Sequence, residues 1–537
     1  MTTPMRLLAA SSLTIVLSAA PAVAAGQAGS IVDAIQSRDH QALHVLLARH
    51  AGVNTRGADG TTPLHWAARV DDLESVRLLL RAGAEVNVAN RYGVTPLMLA
   101  AVNGSAGVVD ALLEAGADAT ATLPEGETVL MTAARTGQPA VVEALIKHGA
   151  NVNATESWLG ETALMWAAAE NHADVVRALA RCGAALNVHS APTAYARRTG
   201  GQTVLPRGGF TALMYAARQD AIDAGRALIE VGADPDQVDA DGLTPLVLSI
   251  INAHYDFAAM LIENGADPNI ADVTGMTPLY AAVDMNTLQF MHGRPPSKPS
   301  GRLTPVDVVK DLLAYGAEPD RALKTTLLQR HNTAGNRYLG EGTTPLMRAA
   351  KSGDVVLMKL LLDAGANPTL RQKNGNTLLI LAAGFGRKFD QNADALEYET
   401  ATEADLLRGT KFCVEQLGLD LNATNDAGET AMHVAAGESI VRFLAAHGGK
   451  LDVKNGAGQL PYDVAILRKD RTGRQLLPGT LVAFRDLSAP HVLEINARPP
   501  EALHFVDEGN ANAAAGKAKA AASDVNAAAN GAAEDGQ

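Results

Sequence analysis

Gly60-Thr61-Thr62-Pro63-Leu64-His65-Trp66-Ala67-Ala68 is followed, 33 residues on, by Gly93-Val94-Thr95-Pro96-Leu97-Met98-Leu99-Ala100-Ala101. The Gly-x-Thr that opens this phrase returns at Thr128, Thr162, Thr211, Thr244, Thr277, Thr344, Thr377 and Thr430, with a degenerate copy at Gly458. Each copy reads as a helix start. The Thr hydroxyl can accept from an orphan amide of the first turn, and the Pro that often follows suits the first helical position. A second apolar run, such as Leu73 to Leu80, ends at Gly83, where a left-handed residue closes a helix. Val86-Asn87 then leads into a turn ending at Gly93. Two helices this short cannot bury their apolar faces alone, so the units must stack.

Composition agrees with stacked helices. Hydrophobic residues make up 47% of the 537, but aromatics only 4%, so the apolar mass is Ala, Leu and Val. That composition argues against an all-β fold. A net charge of −13 argues against a general nucleic-acid binder. Two cysteines, with no Cys-x-x-Cys, exclude a disulfide framework, a zinc ribbon and a thioredoxin-like redox site.

The phrase Thr-Pro-Leu-His-Trp-Ala-Ala, with Leu-Leu-Leu-Arg-Ala-Gly-Ala-Glu-Val-Asn behind it, resembles the ankyrin repeat family from about Ser30 to Ala465. The resemblance implies an all-α repeat solenoid of about eleven units, each two antiparallel helices and a projecting finger. It also implies protein binding along the concave side, and no shared catalytic residues. Domains are expected as a signal peptide over 1–25, the solenoid over 30–465, a capping segment over 466–507 and a disordered Ala-rich tail over 508–537. The signal reading rests on Arg6, the apolar Leu7 to Ala20 and the small-x-small site at Ala22-Val23-Ala24. It places the mature protein in the periplasm or outside the cell, with no membrane insertion after cleavage. The tail reading rests on 13 Ala in the last 30 residues and no aromatic.

The steps between successive Thr caps are 33, 33, 34, 49, 33, 33, 67, 33 and 53, so three exceed the unit by sixteen residues or more. Counting from Thr to the closing Gly puts extra residues between the helices of the units at Thr277 and Thr377. Counting from closing Gly to finger Gly puts two long fingers at Gly183 to Gly209 and Gly316 to Gly342. Such insertions map to loops on one face and are often the binding surface. Both long fingers are basic. The first holds Tyr195, Arg197, Arg198 and Arg207, and the second Arg321, Lys324, Arg330, Arg337 and Tyr338. The insert at Met291 to Leu303 adds Arg294, Lys298 and Arg302, whereas Phe385 to Leu407 is acidic. The nine finger residues are the candidate site: a basic clamp for a protein partner with an acidic surface.

Other chemistry-bearing residues read as packing. His65 and His433 share one register of the repeat with Met98, Met131, Met165, Met214 and Met347, so repeat position, not a ligand set, explains them. Cys182 and Cys413 lie five units apart, too far for a disulfide. His254, His292 and His331 have no metal-site spacing. The expected function is a non-catalytic, exported, monomeric scaffold that binds a protein, with no cofactor, no metal and no nucleic acid. The alternative is an accessory subunit of an exported redox or hydrolytic complex.

Overall fold

The computed structural model describes residues 29–49, 52–193, 207–287, 298–325, 338–385, 401–468 and 478–487. The segments 1–28 and 488–537, which contain the signal and tail expectations, lie outside the described residues. The chain divides into two compact units, 1–123 and 124–537.

The first unit contains α1 (Ile31–Gln36), α2 (His40–Ala48), α3 (Pro63–Arg69), α4 (Leu73–Arg81), α5 (Pro96–Asn103) and α6 (Ala106–Glu114). The second continues the alternation of first and second helices. It runs α7 (Val129–Thr136), α8 (Pro139–Lys147), α9 (Ala163–Ala169), α10 (Ala173–Arg181), β1 (Pro192–Thr193), β2 (Arg207–Gly208), α11 (Ala212–Gln219) and α12 (Ile222–Glu230). Then come α13 (Pro245–Ile251), α14 (Tyr255–Glu263), α15 (Pro278–Thr287), α16 (Pro305–Ala314), α17 (Pro345–Lys351) and α18 (Val355–Asp363). The series ends with α19 (Leu378–Ala382), α20 (Glu403–Lys411), a π-helical turn (Phe412–Gln416), α21 (Ala431–Val434), α22 (Glu438–Ala446), α23 (Pro461–Leu467) and α24 (Pro478–Leu487). The fold is an all-α repeat solenoid, in which β1 and β2 form only a two-residue antiparallel ribbon at the base of the first long finger.

The repeat phrase works as its chemistry requires. Thr95, Thr128, Thr162, Thr211, Thr244, Thr344 and Thr377 each cap a first helix, accepting from the amide three residues on. Inside each first helix the small residues let neighbours approach closely: Ala67, Ala100, Ala133, Ala167, Ala216 and Ala349 are all fully buried. Gly83 has φ +87° and Gly316 φ +90°, the left-handed closure that only Gly adopts without strain.

The shared His/Met register is core. His65 Nδ1 accepts from the Thr62 amide at 3.2 Å, and Nε2 donates to the Val94 carbonyl at 2.9 Å, so one ring ties its own cap to the next finger. His433 repeats this with Thr430 and Gln459. Burial holds the His65 imidazole below its ordinary value and takes His433 down to about 4. At the same position the sulfurs of Met131 and Met165 accept from the Thr128 and Thr162 amides at 3.4 Å. All five methionines are buried. Cys413 is buried in the π-helical turn, where desolvation pushes its thiol up to about 12, and Cys182 follows α10 as a second free thiol.

Candidate protein-binding site

In α7, α9 and α11 the side chains four or seven residues after the capping Thr that keep some exposure are Arg135, Trp166, Ala169 and Arg218, whereas Thr132 and Tyr215 at the same steps are buried. In α9 Leu164, Met165, Ala167 and Ala168 are buried, while Trp166 and Ala169 are partly exposed. Trp166, Tyr215, Arg135 and Arg218 among them bring aromatic and basic groups together. The Arg135 guanidinium lies 5.1 Å from the Trp166 ring centroid, and that of Arg218 lies 4.9 Å from Tyr215 and 5.4 Å from Phe210. Phe210 meets Tyr215 edge to face at 5.7 Å. The Tyr215 hydroxyl donates to Glu161, whose carboxyl is raised by burial and, further, by the neighbouring Glu156. The burial and the Glu161 charge also raise the Tyr215 phenol.

Beside these groups, the finger of residues 154–161 presents Trp158, 60% exposed. Its turn is built by Glu156, whose carboxylate accepts from the amides of Trp158, Leu159 and Glu161 at 2.6 to 2.9 Å. The Leu159 carbonyl in turn accepts from the Ala191 amide, which ties this turn to the residue just before β1.

Further along the second unit the same two positions are sealed. Asp284, Arg348 and Lys351 occupy them and are 2%, 3% and 1% exposed. Arg348 Nε donates to Asp284 Oδ1 at 2.5 Å and its Nη1 to Ser352 Oγ at 2.6 Å. Lys351 Nζ donates to the Phe385 carbonyl at 2.8 Å and lies 5.7 Å from the Tyr338 ring. Phe385 meets Tyr338 edge to face at 5.8 Å. Arg468 closes the end of the short α21, donating to the carbonyls of His433, Val434 and Ala435.

Of the finger residues expected to bind a partner, Tyr195, Arg197, Arg198, Arg330 and Arg337 lie outside the described residues, as do His292 and His331. Arg207 sits in β2 opposite Thr193. Arg321 is exposed and pairs with Glu318 at 2.9 Å, so its charge is matched locally. Lys324 is exposed and tied by its amide to the Thr274 carbonyl at 2.8 Å. Tyr338, expected as an interface anchor, is half-buried against Phe385. The described members therefore do not form one cluster. His254 is tied to the Ala217 carbonyl at 2.9 Å, and Asp256 accepts from the amides of Arg302 and Leu303, anchoring the end of an insert.

Sequence reasoning about the fingers missed Trp158, Trp166, Tyr215 and Arg218. A signal was present, since Trp66, Trp166 and Tyr215 fall at the same step after their caps. Only the structure shows that this step keeps some exposure at Trp66 and Trp166 and is buried at Tyr215.

This capped-helix geometry, repeated through both units, agrees with a family comparison. The family described as ankyrin repeats (3 copies) matches residues 31–123, 118–190, 213–292 and 304–397, more than half of the chain. The chain belongs to the ankyrin repeat family. Stretches left between matches, 191–212 and 293–303, coincide with the first long finger and the helix-joining insert. The chain is similar to SH3 and multiple ankyrin repeat domains protein 2 of Homo sapiens, 29% identical over 185 residues, 30% of this chain and 10% of that protein. It is 32% identical over 121 residues to the NF-kappa-B inhibitor cactus of Drosophila melanogaster, 20% of this chain and 24% of that one. It is 27% identical over 169 residues to the E3 ubiquitin-protein ligase KEG of Arabidopsis thaliana, 29% of this chain and 8% of that one. The chain thus spans at most about a quarter of these relatives. Ankyrin repeat proteins generally act as protein-binding scaffolds. Among the described residues no helix is long and apolar enough to cross a membrane.

Proposed function

We propose that this chain is a non-catalytic protein-binding scaffold, exported by its N-terminal segment, which holds an acidic partner on the open first-helix face of α7, α9 and α11 and on the flanking basic fingers. The observations that carry the reading are the exposed Trp158 and the partly exposed Arg135, Trp166 and Arg218, with the buried Tyr215 ring beneath Arg218. Trp, Tyr and Arg are the residue types that dominate binding energy at interfaces. Arg197, Arg198 and Arg207 of the first long finger, with Tyr195, are included for their charge and aromatic character, and Arg321, Lys324, Arg330, Arg337 and Tyr338 extend the proposal to the second finger. The sealed positions Asp284, Arg348 and Lys351 limit the footprint to the open part of the face.

The test is cross-linked affinity capture with the mature protein from periplasm and culture medium, followed by mass spectrometry. A variant with Trp158→Ala and Arg218→Glu runs alongside. One dominant partner, lost in the variant and weakened by salt, supports the reading. Equal recovery by the variant, or recovery indifferent to salt, overturns it.

A further inference from the structure

Successive repeats are joined at their turns by a two-way staple. The Asn87 amide donates to the carbonyl of Gly116, the closing glycine of the next repeat, at 2.9 Å, and its oxygen accepts from the Asp118 amide two residues beyond at 2.8 Å. Asn153 does the same with Gly183 and Ala185, and Asn269 with Gly316 and Glu318. An Asn side chain suits this because it carries both a donor and an acceptor.

Asp236 stands in that register between the repeat of α11 and α12 and the repeat of α13 and α14. Its Oδ1 accepts from the Asp267 amide at 2.9 Å, the same half of the staple. An ionised carboxylate has no hydrogen to offer the Gly265 carbonyl, so the donating half of the staple cannot form. The charged groups acting on Asp236 among the described residues are Asp234, from its own turn, and Asp267, from the next repeat. Both are carboxylates. Burial raises the Asp236 carboxyl above its ordinary value, and the like charges of Asp267 and Asp234 add to it, against the bond from the Asp267 amide, which pulls the other way. Thr120 and Thr369, at the same register, are neutral and bond within their own turns, to Asp118 and Asn367. They neither attract nor repel the next repeat. Asp320 accepts from the Asn367 amide at 2.9 Å and is a second carboxylate in the series.

We infer that Asp236 makes the seam between these two repeats a proton-operated joint, half-stapled while the carboxylate is ionised and fully stapled once it carries a proton. The sign follows from chemistry: protonation converts the side chain to a donor and acceptor, as Asn is, and removes the clash with Asp234 and Asp267. The joint is looser at neutral pH and tighter in acid, and it lies between the open and the sealed parts of the first-helix face.

The experiment compares hydrogen exchange at the Asp267 amide in the full chain and in Asp236→Asn, across pH 7 to 4, with rates corrected for intrinsic exchange. The expected result at pH 7 is about fivefold greater protection in Asp236→Asn, the worth of one neutral hydrogen bond. The gap should close as the pH falls, because the native Asp then acquires its own donor. Asp234→Asn, which removes one like charge, should move that closure to lower pH. A gap independent of pH, or Asp236→Asn protecting Asp267 less than the native residue, would overturn the inference.

Discussion

Trp166 and Arg218 on one stretch of the first-helix face and Arg348 and Lys351 on another occupy the same two steps of the repeat, yet the first pair meets solvent and the second does not. The repeat sets where a side chain points. Whether that place is a surface depends on what the irregular parts of the chain bring over it. In the open stretch, cations lie on rings and keep part of their surface. In the sealed stretch, Asp284 answers Arg348 and the Phe385 carbonyl answers Lys351, so the charged groups are used up inside the chain.

The largest effect expected from breaking this contrast is in the sealed stretch. Arg348→Met or Asp284→Leu alone should lower unfolding free energy by about 3 to 5 kcal/mol, because each leaves an uncompensated buried charge. The double variant should recover most of that loss, as measured by urea unfolding. Single losses that simply add would show that the pair is not coupled.

Acid acts next. His433 is neutral when folded and its pKa is down at about 4, against 6.5 for an ordinary imidazole. The unfolded chain therefore binds the extra proton between these values, and stability falls as pH drops from about 6.5 to about 4. The loss is at most about 3 kcal/mol. His433→Met, which borrows the side chain of Met131 and Met165, should remove this component from the pH profile.

In the open stretch the effects move from stability to affinity. Trp158→Ala should weaken the captured partner by about 2 kcal/mol, while changing the urea midpoint by no more than about 0.5 kcal/mol. The smallest effect belongs to the sealed stretch again. The Tyr280 hydroxyl is fully buried and has no hydrogen-bond partner among the described residues. Tyr280→Phe should be neutral or stabilising by about 1 kcal/mol in calorimetry, since it removes a desolvated group that gains nothing.

The fold was legible because it is written many times. Thr95, Pro96 and Gly116 are each explained by local rules of capping and closure, and a period of 33 leaves one way to stack them. The placement of His65, His433 and the methionines was legible for the same reason, since register alone assigned them to packing. The site was less so. Charge in the long fingers drew attention to Arg321 and Tyr338, but Arg321 is matched by Glu318 one turn away, and Tyr338 folds back against Phe385. Asp284 and Arg348 are 64 residues apart, across two insertions, so no local pattern announces their pairing. Trp158 lies in an ordinary finger, and its exposure follows from how Glu156 builds the turn beneath it.

The central claim is that the first-helix face contributes to binding only through its open part, beside Trp158, and not through the sealed stretch. Hydroxyl-radical footprinting of the full chain, alone and with its captured partner, tests it most directly. The account predicts that Trp158 and Trp166 are labelled in the free protein and protected in the complex, while Tyr280 stays unlabelled in both. Protection that appears at Tyr280 or Phe385 after strong labelling in the free protein, with Trp158 and Trp166 unchanged, would contradict it.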